Sequence, residues 1–212
     1  MRFASLGSGS GGNGLVVEAG NTRVLLDCGF GLRDTERRLA RLQLEAKQLS
    51  GILLTHEHAD HADGAFRFAR KHALPVWLSH GTLAALQARM EKIPLALHPV
   101  DSQQRFAIKD LEIDPYPVPH DAREPVQFVF GDGAHRLGVL TDAGCATPHM
   151  TTMLSGCHGL VLECNHDSEM LRNGSYPAAL KRRVASRLGH LSNDAAAELL
   201  KSLDNRKLQH IV

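Results

Sequence analysis

Thr55-His56-Glu57-His58-Ala59-Asp60-His61 sets three imidazoles and a carboxylate within six positions, at a point where the local pattern changes. Gly51-Ile52-Leu53-Leu54 before it is an apolar run of strand character, and Ala62 to Lys71 after it repeats apolar residues at helical spacing. The seven residues therefore occupy a strand-to-helix turn, and a turn at the end of a buried strand can aim several side chains at one spot. Imidazole nitrogens with carboxylate oxygens suit zinc or a similar transition ion. The plainer reading, a solvated loop rich in His and Asp, leaves unexplained why a strand and a helix should crowd so many titratable groups.

The same arrangement recurs along the chain. Thr22 to Leu26 reads as a strand ended by Asp27-Cys28-Gly29, where Asp27 can orient a metal-bound histidine or simply cap a turn. Leu111 to Val118 ends at Pro119-His120-Asp121. Val126 to Phe130 and Arg136 to Leu140 flank Gly131-Asp132-Gly133 as a hairpin, and the second of them ends at Thr141-Asp142-Ala143-Gly144. Gly159 to Cys164 is a strand with the polar exit Asn165-His166-Asp167. Phe3 to Leu6 and Leu15 to Glu18 are strands joined by Gly7-Ser8-Gly9-Ser10-Gly11-Gly12-Asn13, which lacks a Gly-Lys-Ser/Thr ending and enters a strand, so it lines a site or closes a hairpin and does not cradle a nucleotide.

Helices are expected over Asp34 to Leu44, Ala62 to Lys71, Gly81 to Met90, Pro148 to Leu154, Tyr176 to Leu188 and Asp194 to Leu203. Pro75 to Leu78 and Arg105 to Ile108 add short strands, with Trp77 as packing, and Lys207 to Val212 begins another. The chain is α/β, with sheets covered by helices.

A chain of 212 residues that is 43% apolar can bury the core of one domain, 1–212. Twenty-four Lys and Arg against 23 Asp and Glu leave a net charge of +1, which demands neither nucleic acid nor an acidic membrane. Local basic patches stay open at Arg33, Arg37, Arg38 and Arg41 and at Lys181, Arg182, Arg183 and Arg187, although both sets equally suit solvated helix faces. No segment approaches the roughly 18 apolar residues of a membrane span, and the first residues have too little apolar length for a signal peptide. The expected compartment is the cytoplasm. Cys28, Cys145, Cys157 and Cys164 have no paired zinc spacing and read as core or near-site thiols in a reducing compartment.

The histidine turn, His120 in its Pro-His-Asp exit and Asp142 in Thr-Asp-Ala-Gly resemble the metallo-beta-lactamase superfamily of hydrolases. Glu163-Cys164-Asn165-His166-Asp167, Tyr176-Pro177 and Gly189-His190-Leu191-Ser192-Asn193 are similar to its YycJ/WalJ branch, related to nucleases of the RNase J and RNase Z type. The resemblance implies a four-layer alpha-beta-beta-alpha sandwich with two divalent metals, zinc or manganese. His56, His58 and His120 would hold the first and Asp60 and His61 the second, with Asp142 bridging, Asp60 and Asp142 being the catalytic carboxylates. His166 and His190 are open between contact with substrate phosphate, ordering of water and ordinary hydrogen bonding. The family pattern continues to a further histidine beyond a terminal strand, whereas this sequence stops at Val212, so a C-terminal segment is expected to be lacking and the second metal to be weak or empty. The implied activity is metal-dependent phosphodiester hydrolysis of nucleic acid, DNA before RNA, as a 5'-directed exonuclease. A small-molecule ester or thioester hydrolase and a non-catalytic metal-bearing binding protein are the rival readings. Oligomeric state is not legible.

Overall fold

A computed structural model describes residues 1–89 and 94–212. The first sheet begins as an antiparallel meander of β1 (Arg2–Gly7), β2 (Gly14–Ala19) and β3 (Thr22–Leu26). It then grows by helical crossovers: α1 (Leu32–Arg41) leads to β4 (Gly51–Leu53), α2 (Ala59–Ala62) and α3 (Ala65–His72) lead to β5 (Val76–Ser79), and α4 (His80–Leu86) precedes β6 (Leu97–Val100). The order is β1-β2-β3-β4-β5-β6, with β3 to β6 parallel. Strands in the middle of a parallel sheet are covered on both faces, which is why β4 is buried at every position and reads as an unbroken apolar run.

The second sheet collects β7 (Phe106–Ile108), β8 (Leu111–Pro117), β9 (Val126–Gly131) and β10 (Arg136–Leu140), then α5 (Pro148–Leu154) and β11 (Gly159–Leu162). Three helices follow, α6 (Ser168–Asn173), α7 (Ala178–Val184) and α8 (Asn193–Ser202), before the short β12 (His210–Ile211). Its order is β12-β11-β10-β9-β8-β7. β9 and β10 form the hairpin read from the sequence, with Gly131 opposite Arg136, while β10, β11 and β12 run parallel.

The chain divides into two compact units, Met1–Glu112 with Ala122–Val126 and Ile113–Asp121 with Gln127–Val212. The first has its own core, in which Leu25, Ile52 and Leu78 of the strands meet Leu39 of α1 and Phe68 and Ala69 of α3. In the second, Leu140 and Leu160 pack with Met150 and Leu154 of α5 and with Ala196 and Leu199 of α8. Tyr116 is fully buried there and satisfies its hydroxyl by donating to the Val139 carbonyl at 2.6 Å.

Element edges shift where tertiary contacts decide them. The first helix starts two residues earlier than the spacing suggests and stops at Arg41. The segment expected as one helix from Ala62 is two, broken at Asp63 and Gly64. The expected helix from Gly81 is observed as α4 and a 3-10 turn to Arg89, and its end at Met90 lies outside the described residues. β6 and α6 were not read from the sequence, and α7 is shorter than the Tyr176 to Leu188 span.

Candidate metal centre

Asp27 follows β3 and the histidine turn follows β4, so both lie at the carboxyl edge of parallel strands, the edge at which open α/β sheets bind ligands. Asp27 adopts φ 58°, a left-handed conformation that costs a non-glycine residue about 1 kcal/mol and that Asp tolerates better than most. The bend returns its carboxylate to the neighbouring strand end. Oδ1 accepts from the Thr55 backbone N–H at 2.9 Å and from its hydroxyl at 3.0 Å, and Oδ2 accepts from His61 Nδ1 at 2.8 Å. With Nδ1 donating, Nε2 is the lone-pair nitrogen of His61. His56 is set by the same threonine: its Nδ1 lies 2.9 Å from Thr55 Oγ1, leaving Nε2 at 2.9 Å from His58 Nδ1.

This meeting of two ring nitrogens fits a chelated ion. Two histidines on one tetrahedral zinc, each bonded at about 2.0–2.1 Å, hold their nitrogens about 3.3 Å apart, so the pair opens by only about 0.4 Å to accept it. His56 and His61 are both buried.

The glycine-rich loop lines this place. Asn13 Nδ2 donates to the Asp60 carbonyl at 3.2 Å and to Asp60 Oδ2 at 3.1 Å, and lies 3.1 Å from His61 Nε2. Gly29 and Gly64 permit the close approach: a Cβ at Gly29 would fall 1.8 Å from the Asp60 carbonyl oxygen, and one at Gly64 would fall 1.9 Å from that of Phe30. Cys28 takes no part in it. Burial pushes its thiol up to about 12, and its sulfur lies 3.7 Å from the Thr35 hydroxyl within the core.

The second unit carries its own polar strand exits. His120 follows β8 and is buried, with Nδ1 donating to the Gly189 carbonyl at 3.0 Å, which leaves Nε2 as its donor atom toward an ion. Asp142 follows β10 and Glu163 follows β11, its parallel neighbour. Glu163 Oε1 accepts from His190 Nδ1 at 2.7 Å, and Oε2 accepts the backbone N–H groups of Ala143 at 2.9 Å and Leu191 at 3.2 Å. His190 Nδ1 is also 3.4 Å from Asp142 Oδ1, and donor atoms of Asp142, Glu163 and His190 all fall within 4.8 Å of one another. Burial raises the Glu163 pKa, aided by the Asp142 charge and opposed by the His190 hydrogen bond. For His190 burial works against the charge, and the Glu163 hydrogen bond with the charges of Glu163, Asp142 and Asp121 outweighs it, so the imidazole holds its proton above the usual range.

A family description, the Beta-lactamase superfamily domain, matches residues 22–211. Exodeoxyribonuclease YycJ of Bacillus anthracis is 36% identical over 217 aligned residues, covering 100% of this chain and 80% of that protein. The chain belongs to the metallo-beta-lactamase superfamily. Exodeoxyribonuclease WalJ of Streptococcus pneumoniae serotype 2 is 33% identical across 97% of this chain and 78% of its own, which places the chain in the YycJ/WalJ-like branch. Human tRNase Z, short form, superposes with a TM-score of 0.71 at 18% identity over 100% of this chain and 93% of that one, so the α/β fold is the metallo-beta-lactamase fold. A divalent-metal centre suits both the superfamily and this donor set.

Of the residues singled out in the sequence, His56, His58, Asp60, His61 and Asp27 gather in the first unit, and His120, Asp142 and His190 in the second. His166 is placed differently. It bridges to Ser192 through the backbone and its Nδ1 lies 3.3 Å from Asn165 Oδ1; burial first, then the His190 charge, lower its pKa. Glu163 and Asn13 were not singled out. The signal for Glu163 was present, because it is a carboxylate at the exit of an apolar strand as Asp27 and Asp142 are. Nothing local marked Asn13 among its glycines.

Proposed function

We propose that this protein is a metal-dependent phosphodiesterase of nucleic acid, a DNA exonuclease that works from the 5' end, with residues 1–212 forming one metallo-hydrolase domain. The observation that carries the reading is the match to an exodeoxyribonuclease over the full chain, in a sequence that keeps the histidine turn intact. His56, His58 and His120 are assigned to one ion, Asp60 and His61 to the other, and Asp142 to both, with zinc or manganese as the metal. Bound there, the ions supply Lewis acidity toward the phosphate and make water easier to ionise.

The chain's own groups do the rest. Asp27 and Thr55 fix the tautomers of His61 and His56, and the Gly189 carbonyl fixes that of His120, so no donor atom has to reorient. Asn13 restrains Asp60 from the other side. Glu163 accepts the Nδ1–H hydrogen bond of His190 and so favours the protonated ring, whose Nε2–H is then the group available to a phosphate oxygen or to a departing alkoxide. The cytoplasm is the assigned compartment, in keeping with four cysteines that are free thiols.

The test is metal analysis followed by incubation with 5'-labelled single- and double-stranded DNA and RNA in manganese or zinc. The expected result is metal-dependent release of labelled mononucleotide from DNA, lost in His58→Ala and Asp142→Asn. A stoichiometrically loaded protein that leaves every polymer intact, yet hydrolyses a thioester or ester, would assign the fold to small-molecule chemistry instead.

A further inference from the structure

Between the strand exit at Glu163 and the site residue His190, the chain makes an excursion that contributes almost nothing to a core. Neither α6 nor α7 buries a single residue, and no residue from Cys164 to Leu188 is buried. Helices of six and seven residues do not persist in water on propensity alone. The excursion is held at its far end by contacts to the loops that bear site residues. Arg183 pairs with Asp121 at 2.5 Å, the Gly189 carbonyl accepts from His120, and a Cβ on Gly144 would lie 2.3 Å from the Arg187 carbonyl carbon. Lys181 then ties the helices together by donating to the Arg172 carbonyl at 2.8 Å. The segment is thus an arm fixed beside Asp142 and His190.

Its surface combines two features. Five basic residues, Arg172, Lys181, Arg182, Arg183 and Arg187, stand against Glu169 alone from Ser168 to Gly189, a net +4 in a chain of +1, so the remaining residues together carry −3. Arg172, Arg182 and Arg187 are exposed and form no ion pair among the described residues, as is also true of Arg33 and Arg41 on α1 and Arg67 on α3; what the arm adds is their gathering with little acidic charge in one short segment. Large apolar side chains are exposed on the same arm: Met170 at 75%, Tyr176 at 58% and Leu188 at 50%.

Guanidinium groups free to take phosphates, interleaved with an exposed ring, are what a single strand recognises; unstacked bases offer flat faces to the ring, and a duplex hides those faces. We propose that Ser168–Gly189 is a docking arm for single-stranded nucleic acid, with Tyr176 stacking on a base and Arg172, Arg182 and Arg187 contacting phosphates, so that the strand is delivered to the site at the arm's base. The inference names how the proposed hydrolase grips its polymer and rests on that reading.

Binding is measured without turnover, by fluorescence anisotropy of a labelled short oligothymidylate with the full chain in EDTA, across a series of salt concentrations. Tyr176→Ala is expected to weaken binding about fivefold to a hundredfold, the range for removing one ring on which a base stacks. Arg182→Ala with Arg187→Ala is expected to flatten the logarithmic salt slope by about 1.4, or 0.7 for each phosphate no longer neutralised. Removing two charges elsewhere, with Lys201→Ala and Arg206→Ala, is expected to leave the slope as it was. Arm variants that melt like the parent and bind with its affinity and slope overturn the proposal, as does a parent that fails to bind at low salt. If Tyr176→Ala instead dissolves a dimer seen by sedimentation while DNA binding is unaltered, the arm is a protein interface. Cleavage separates the two readings: a parent inert toward every phosphodiester whose arm variants still lose binding leaves the arm standing and removes the hydrolase. A parent that cleaves DNA with indifferent arm variants does the reverse.

Discussion

Asp27 concentrates several demands on one side chain. It holds a strained φ, accepts both the N–H and the hydroxyl of Thr55, and accepts the Nδ1 proton of His61, all in a buried position. Asp27→Ala leaves those donors unsatisfied and keeps the left-handed backbone without the side chain that tolerates it. A loss of about 2–4 kcal/mol in chemical denaturation is expected. Asp27→Asn is the sharper variant, because Asn also tolerates that backbone and keeps one acceptor for Thr55. It presents an amide in place of the second oxygen, so His61 no longer has a carboxylate to fix its tautomer. Metal affinity measured by competition with a chromophoric chelator should fall about tenfold to a hundredfold with a much smaller loss of stability. An Asn variant that binds metal like the parent would reduce Asp27 to a turn-former. At this scale the sequence was most informative where donors are contiguous, as in the histidine turn. Glu163 carries the same local mark, a carboxylate at a strand exit, but its partners Ala143, His190 and Leu191 lie about 20 to 28 positions away, so only the fold shows what it holds.

Elements show the same division between local and distant causes. β3, β9 and β10 were readable because one apolar face or an unbroken apolar run marks each of them, and Gly131-Asp132-Gly133 marks the turn. β6 was not, since Leu97-His98-Pro99-Val100 has little strand pattern of its own; it ends the β1 to β6 sheet, where a proline costs no central ladder bond. α6 was not, since no face of it is buried and no helical period marks it, whereas α7 was expected within Tyr176 to Leu188 behind Pro177 and is only shorter than that span. Gly64 shows how an interruption of helical periodicity can be functional. It separates α2 from α3, donates its N–H to the Cys28 carbonyl at 2.9 Å, and lets the Phe30 carbonyl approach where a Cβ would stand. Gly64→Ala must push the two backbones apart, and backbone cannot yield as a flexible side chain would. A destabilisation at the upper end of the overpacking range, about 3 kcal/mol, is expected in urea unfolding, together with loss of metal binding as the turn is displaced. A variant of unchanged stability would mean that the loop after Asp27 moves freely relative to the turn.

For the molecule as a whole, the donor set makes a thermodynamic statement that does not depend on which substrate is cleaved. Buried imidazoles at His56 and His61 beside the buried Asp27 carboxylate are costly to assemble, and an ion that binds the folded chain and not the unfolded one offsets that cost by mass action. At a free metal concentration a hundred times its Kd the stabilisation is about 2.7 kcal/mol. In a chain of this length each kcal/mol moves Tm by about 2–4 °C, so zinc or manganese added to protein stripped with EDTA should raise Tm by about 5–11 °C. Differential scanning calorimetry of the stripped and reloaded protein reads this directly. His58→Ala removes a half-buried donor that faces His56, so it should melt near the stripped parent and respond weakly to metal, whereas a surface change such as Lys201→Ala should leave the metal response intact. Equal Tm values for the parent with and without metal, at concentrations where metal analysis finds the ion bound, would mean that the histidine turn holds its metal no better folded than unfolded. The assignment of these residues as a preorganised centre would then fail, whatever the family to which the fold belongs.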